Sequence, residues 1–322
     1  MPNDLGRLLL KHLEIYLLFY TYTKLIDMKL ISTILFSVLS SAAISQTSLD
    51  IGGNRGFRGM YPENSIHGFV RAVKLGVNTV EMDVVISKDN QVVVSHDLTI
   101  DEDVCSTADG KPMTGADKNK YKIYAMNYDE IKKFDCGQRG NSRFTDQVKE
   151  AAYKPLLGEA IDAIEKYIKE NNLQPVNYNI QIVSSKKGDE VMHPEPPQFS
   201  KLVYDIAKAK GILGRTTFAS LDMRILQKLR ETDPATTVAL MSEKTTDDLE
   251  TNLKELHFNP TAYMPTFLLV TKAMITKCHA LGIKVITWTP NDMSKMTSLK
   301  ADGVDGIITD YPDRAIRALR PK

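Results

Sequence analysis

Cysteine, tryptophan and net charge are all scarce in this 322-residue chain. Three cysteines and one tryptophan are present, and 41 basic residues nearly cancel 40 acidic ones. That balance leaves no electrostatic footprint for nucleic acid or an anionic membrane as the main partner. The spacing of Cys105, Cys136 and Cys278 matches no zinc pattern. No G-x-G-x-x-G turn occurs, so a doubly wound nucleotide-binding sheet lacks its fingerprint. No repeat array and no second domain are visible. Apolar residues are ample for a core, and the length suits one closed α/β barrel.

The first 45 residues read as a leader. Met28 and Lys29 form a short basic head, Leu30 to Leu39 is apolar, and Ala43-Ile44-Ser45 sets small residues at a cleavage site. This is a secretory layout, with residues 1–27 an upstream extension and Gln46 the first mature residue. A secreted or periplasmic protein is expected. The alternative is an uncleaved anchor, and membrane contact is expected only through that leader if it is retained. Export permits a disulfide, and Cys105 with Cys136 is the natural pair because both flank one irregular stretch. Three unpaired cysteines are the alternative.

From residue 46 to 322 the pattern is a single domain. A short strand over Leu49–Gly53 ends in glycines. A helix is expected over Glu63–Leu75, with Ile66, Phe69, Val70 and Val73 on one face. Strands follow at Thr79–Ile86 and Gln91–Ser95, then a polar, turn-rich insertion over about 98–154 with a helix only at Tyr128–Phe134. Long irregular insertions are uncommon and usually functional. Strands and helices then alternate to the end. Counting the hairpin at 79–95 as one unit gives about eight β/α units, which predicts a (β/α)8 barrel.

Barrel chemistry sits at the C-terminal ends of strands, and the polar residues cluster there. Glu81 and Asp83 lie two apart in an apolar strand, so they share one face. Two acids side by side call for a cation, and oxygen ligands suit Mg²⁺ or Ca²⁺. His96 ends the next apolar run and is a candidate general acid or base, although a lone histidine is more often structural. Arg55 follows a Gly-Gly pair and can clamp a phosphate. Glu63 either orients a neighbour or is a first-turn helix acid. Trp288 either walls a pocket or packs in the core. The remaining histidines read as structural or exposed.

These residues resemble the glycerophosphodiester phosphodiesterase family. The likeness runs through Pro62-Glu63-Asn64, the E-x-D of Glu81 and Asp83, and Ser95-His96-Asp97. It continues through Tyr178–Ile182 against the family's N-I-E-I-K, Phe218–Asp222 against Q-S-F-D, Trp288 in W-T-x-N, and Gly303–Pro312. The insertion and the run His193–Pro196 resemble a bacterial periplasmic branch. The resemblance implies a (β/α)8 barrel that hydrolyses glycerophosphodiesters to an alcohol and glycerol 3-phosphate. It further implies two histidines as acid and base, a divalent cation on the E-x-D pair and a third glutamate, and an arginine and a lysine on the phosphate. Glu81, Asp83, His96 and Arg55 match. Three positions depart: Asn54 replaces the first histidine, Gln181 the third glutamate and Val183 the lysine. Asparagine cannot shuttle a proton, and losing one proton-transfer group costs roughly 10²–10⁴ in rate. The expectation is lost or much reduced hydrolysis, with Ca²⁺ or Mg²⁺ binding weakened or absent. A non-catalytic protein binding a phosphodiester, a glycan or a protein is the alternative.

Overall fold

Among the described residues, nine strands form one sheet that closes on itself. Strand β1 (Asp50–Gly53) pairs in parallel with β2 (Thr79–Ile86) on one side and β9 (Gly306–Thr309) on the other. Between them run β4 (Asn177–Ile182), β5 (Thr216–Ser220), β6 (Val238–Ser242), β7 (Ala262–Pro265) and β8 (Lys284–Trp288), each parallel to its neighbours. Only β3 (Val92–Val94) is antiparallel, laid on β2. Removing it leaves eight parallel strands, the expected (β/α)8 barrel. The computed structural model describes residues 49–246 and 248–320, with Leu18 and Thr21. The expected signal segment at 28–45 lies outside the described residues.

Glycine permits the first turn after β1. Gly56 has φ +86°, and a Cβ there would stand 2.8 Å from the Gly68 carbonyl carbon. The chain therefore crosses directly over helix α1 (Ile66–Leu75), whose N-cap is Ser65, its side chain accepting from the Gly68 N–H. The helix starts three residues later than the expected Glu63, at the first residue of its apolar stripe. Pro62, Glu63 and Asn64 form the turn before it, and Asn64 has φ 53°. Glu63 is thus not a first-turn helix acid, and its carboxylate is free to meet arginines.

The expected placement of the acids at a strand end needs correction. Gly53, the last residue of β1, pairs with Val80, and β2 continues for six more residues. Glu81 and Asp83 therefore sit mid-strand, yet just above the rim that β1 defines. The overhang of β2 carries β3, so His96 comes from a strand running back down toward the barrel rather than from a barrel strand end.

The insertion has a core of its own. Ile100, Val104, Cys105, Met113, Ile123, Tyr128, Ile131 and Phe134 cluster with Val85 and Val93 of the overhang. Its helix α2 spans Tyr128–Ile131, shorter than expected. Cys105 and Cys136 are bridged, and Cys278 is a buried free thiol. Closing a loop of this size stabilises by about 3–4 kcal/mol in the chain-entropy account.

Register then decides which side chains share a row. Asp83 is level with Gln181 on β4, and the Ser95 N–H donates to the Asp83 carbonyl at 3.0 Å on the other side. Val93 bridges Leu156 antiparallel, which sets Ser95 opposite Lys154. One row thus reads Gln181, Asp83, Ser95, Lys154. The row above reads Val183, Val85, Val93, Leu156, and all four belong to or pack against the insertion's apolar cluster.

Candidate active site

A pocket of about 190 Å³ opens over the barrel at this level. One wall is polar: Asn54, Arg55, Arg58, Glu81, Asp83, His96 and Gln181. The other is apolar, made by Leu221, Met241, Met264, Trp288 and Ile308. Small residues beneath the apolar wall, Ala219, Ala239 and Ala262, keep the barrel mouth open. Trp288 does wall the pocket, its indole N–H donating to the Met264 carbonyl at 2.8 Å. Val183 does not line it, because its row belongs to the insertion's core.

Arg55 organises the polar wall. Its φ is 49°, a conformation costing about 1–3 kcal/mol for a non-glycine residue. Three carboxylates hold it there. Its backbone N–H donates to Glu81 Oε2 at 2.6 Å. Its guanidinium meets Glu63 Oε1 at 2.7 Å and Asp83 Oδ2 at 3.2 Å. Arg58 meets Glu63 Oε2 at 2.7 Å and Asp310 Oδ1 at 3.7 Å. Burial alone would raise the Glu63 carboxyl, but the charges of Arg55 and Arg58 hold it far below the usual range. The expected phosphate clamp is therefore already engaged with acids.

Asn54 is fixed as well. Its Nδ2 donates to Asp310 Oδ1 at 2.8 Å, and Asn291 Nδ2 donates to Asp310 Oδ2 at 2.8 Å. Across the pocket the ring Nδ1 of His96 lies 3.1 Å from Asp97 Oδ1. With Nδ1 donating to that carboxylate, Nε2 is left to exchange a proton. Burial alone would raise the Asp97 carboxyl, but the hydrogen bond and charge of His96, with Lys154, hold it low. His67 offers no substitute, since it is paired with Glu150 at 2.5 Å and accepts from Arg71.

The donor set for a cation is mixed. Among the described residues no group of three His, Cys, Asp or Glu side chains is arranged to hold a metal. Two carboxylates share a face, Glu81 and Asp83, and the Gln181 amide is level with Asp83. Asn179 is level with Glu81, and its Oδ1 is buried without a hydrogen-bond partner. Four oxygen-bearing side chains, two of them charged, fit a hard divalent cation with less charge than a set of three carboxylates. When bound, such a cation would neutralise phosphate charge and activate a nucleophile.

Burial and the neighbouring Asp83 push the pKa of Glu81 well above the usual range, and Arg55 offsets this only in part. A carboxyl whose folded pKa is raised stabilises the fold below its unfolded pKa of about 4.3 and loses that contribution as pH rises. Glu81→Gln removes the titration. In chelator, the variant is expected to melt a few degrees above the parent at pH 7, with the gap closing near pH 4. A gap independent of pH between 4 and 7 contradicts this account.

Residues 55–314 match the model of the glycerophosphoryl diester phosphodiesterase family. The chain belongs to that family. A glycerophosphodiester phosphodiesterase of Caldanaerobacter subterraneus is 26% identical over 267 residues, covering 83% of this chain and 96% of that protein. A crystal structure from Silicibacter pomeroyi assigned to the same family superposes with TM-score 0.76 at 27% identity, over 85% of this chain and 94% of that one. An Oleispira antarctica phosphodiesterase, solved with its product sn-glycerol-3-phosphate, shares the fold with TM-score 0.65 at 20% identity, covering 84% and 96%. Members of the family generally depend on a divalent metal.

Within this family frame, several site residues escaped the sequence reading. Arg58 was visible three residues after Arg55. Asn64, which donates from Nδ2 to Asp83 Oδ2 at 2.9 Å, lies inside the P-E-N motif. Asp97, Asn291 and Asp310 also stand in family-like motifs, but their partnerships depend on closure of the barrel. Lys154 carried no sequence signal at all.

Proposed function

We propose that this chain binds a small glycerophosphodiester in the pocket and hydrolyses it slowly or not at all. The observation that carries the reading is Asn54. Its amide occupies the first proton-transfer position and is tied to Asp310 at 2.8 Å. In-line displacement at phosphorus needs a proton taken from the attacking group and one given to the leaving oxygen, on opposite faces. His96 can serve one of these transfers, and the amide of Asn54 cannot serve the other. The family membership and the sn-glycerol-3-phosphate bound to the Oleispira relative support a glycerophosphodiester as ligand. The cation is Ca²⁺ or Mg²⁺, held more weakly because Gln181 is neutral.

Incubation with glycerophosphocholine and either cation tests the reading through release of sn-glycerol 3-phosphate. Release is expected at least about 10²-fold below that of a family member with both histidines. Comparable turnover, abolished by chelator and by His96→Ala, overturns the proposal. Export belongs to the same reading, supported by the leader pattern and by the Cys105–Cys136 bridge. N-terminal sequencing of the mature protein is expected to begin at Gln46, and retention of residues 28–45 rejects cleavage.

A further inference from the structure

The polar wall has spent its arginines. Arg55 is held by Glu63 and Asp83, and Arg58 by Glu63 and Asp310. The lysine that family members place at position 183 is Val183, whose row is the insertion's apolar core. A phosphate entering this pocket still needs a positive charge that is not already neutralised.

Lys154 has that charge. It ends the insertion and stands opposite Ser95, in the row that also contains Asp83 and Gln181. Its ammonium donates to Ser95 Oγ at 2.9 Å. Ser95 Oγ in turn donates to the Asp97 carbonyl at 2.8 Å, so the hydroxyl holds the ammonium without cancelling it. Among the described residues no carboxylate lies within ion-pair distance of Lys154. One strand spacing, about 4.8 Å, separates Ser95 from Asp83, and Ser95 directly precedes His96. Lys154 stands behind the lining residue His96 rather than in the lining itself, and its charge acts on the site by helping to hold the Glu63 and Asp97 carboxyls low.

We propose that Lys154 is the phosphate-gripping lysine of this protein, supplied by the insertion from the opposite flank of the E-x-D strand. The cation stands three strand positions away from the β4 row of Val183, beyond β2 and β3. Position 183 went to the insertion's core, and the same insertion delivers the replacement. This inference rests on the phosphodiester pocket proposed above.

Calorimetric titration of the full chain with sn-glycerol 3-phosphate, and separately with inorganic phosphate, tests it. Parent, Lys154→Met and Lys154→Arg are compared at low salt, and Lys154→Gln takes the place of Lys154→Met if that variant melts early. Loss of one charge-assisted hydrogen bond predicts weakening of about tenfold or more in Lys154→Met. Lys154→Arg is expected within about threefold of the parent, and the salt dependence of binding should be shallower in Lys154→Met. Parent binding that Lys154→Met leaves within twofold overturns the role of Lys154 and leaves the pocket standing. Equal loss in the Met and Arg variants also overturns it, because the charge is then not the cause. Absence of parent binding to both anions overturns the pocket reading together with this one.

Discussion

Restoring Asn54→His and Gln181→Glu together is expected to raise release of sn-glycerol 3-phosphate by about 10²–10⁴-fold. The scaffold is ready for both changes. Asn54 already donates to Asp310 at 2.8 Å. A histidine there would give one ring nitrogen to that carboxylate and keep the other toward the pocket. This is the arrangement His96 has with Asp97. Gln181 is level with Asp83, so a glutamate there completes a set of three carboxylates beside Glu81. Val183 is left unchanged on purpose, because its place belongs to the insertion's core and Lys154 carries the charge. The gain should vanish with His96→Ala in the same background and with chelator. No gain from the double variant contradicts the assignment of Asn54 and Gln181 as the positions that limit turnover. A gain that requires Val183→Lys as well assigns the phosphate charge to position 183 instead.

The second large effect is on stability. Glu63→Ala is expected to cost about 3–5 kcal/mol, the usual effect of removing one partner from a buried charge network. Glu63 accepts from Arg55 and Arg58, both at 2.7 Å, and these side chains are only 12–14% exposed. Its loss leaves Arg55 with Asp83 at 3.2 Å and Arg58 with Asp310 at 3.7 Å as their remaining carboxylate partners. For a domain of this size that corresponds to a fall in Tm of roughly 10 °C. The pH dependence has the opposite sign to that of Glu81. Because the folded pKa of Glu63 is depressed, its contribution is complete above the unfolded value of about 4.3 and fades as pH falls. Urea melts of parent and variant should therefore converge in acid. A variant within 1 kcal/mol of the parent at pH 7 contradicts the clamp.

The legible and illegible parts of this site divide on sequence distance. The period-two spacing of Glu81 and Asp83 needs no tertiary information and places both on one face. The alternation of strands and helices likewise yields a barrel without coordinates, because each element's periodicity is local. Val183 was read from the likeness as a lost phosphate lysine, but its surroundings depend on how the insertion folds back. The Asn54–Asp310 contact spans 256 residues and the Lys154–Ser95 contact 59. Such pairs are set by strand register, to which a single sequence is nearly blind. Glu63 went astray for a different reason. The apolar stripe begins at Ile66, where the helix does, while Pro62 is equally at home in a helix's first turn and in the turn that precedes the Ser65 cap.

The return segment beside β3 changes how the insertion should be regarded in protein engineering. Residues 98–154 look like a module that could be trimmed or grafted, since they fold around their own core and carry their own disulfide. Yet their last residues add one more strand-like layer behind the polar wall, with Lys154 beside Ser95 and Leu156 against Val93. Minimising this protein to its barrel would strip the support from Ser95 and the neighbouring His96. Conversely, grafting the insertion onto another barrel would import a lysine along with it.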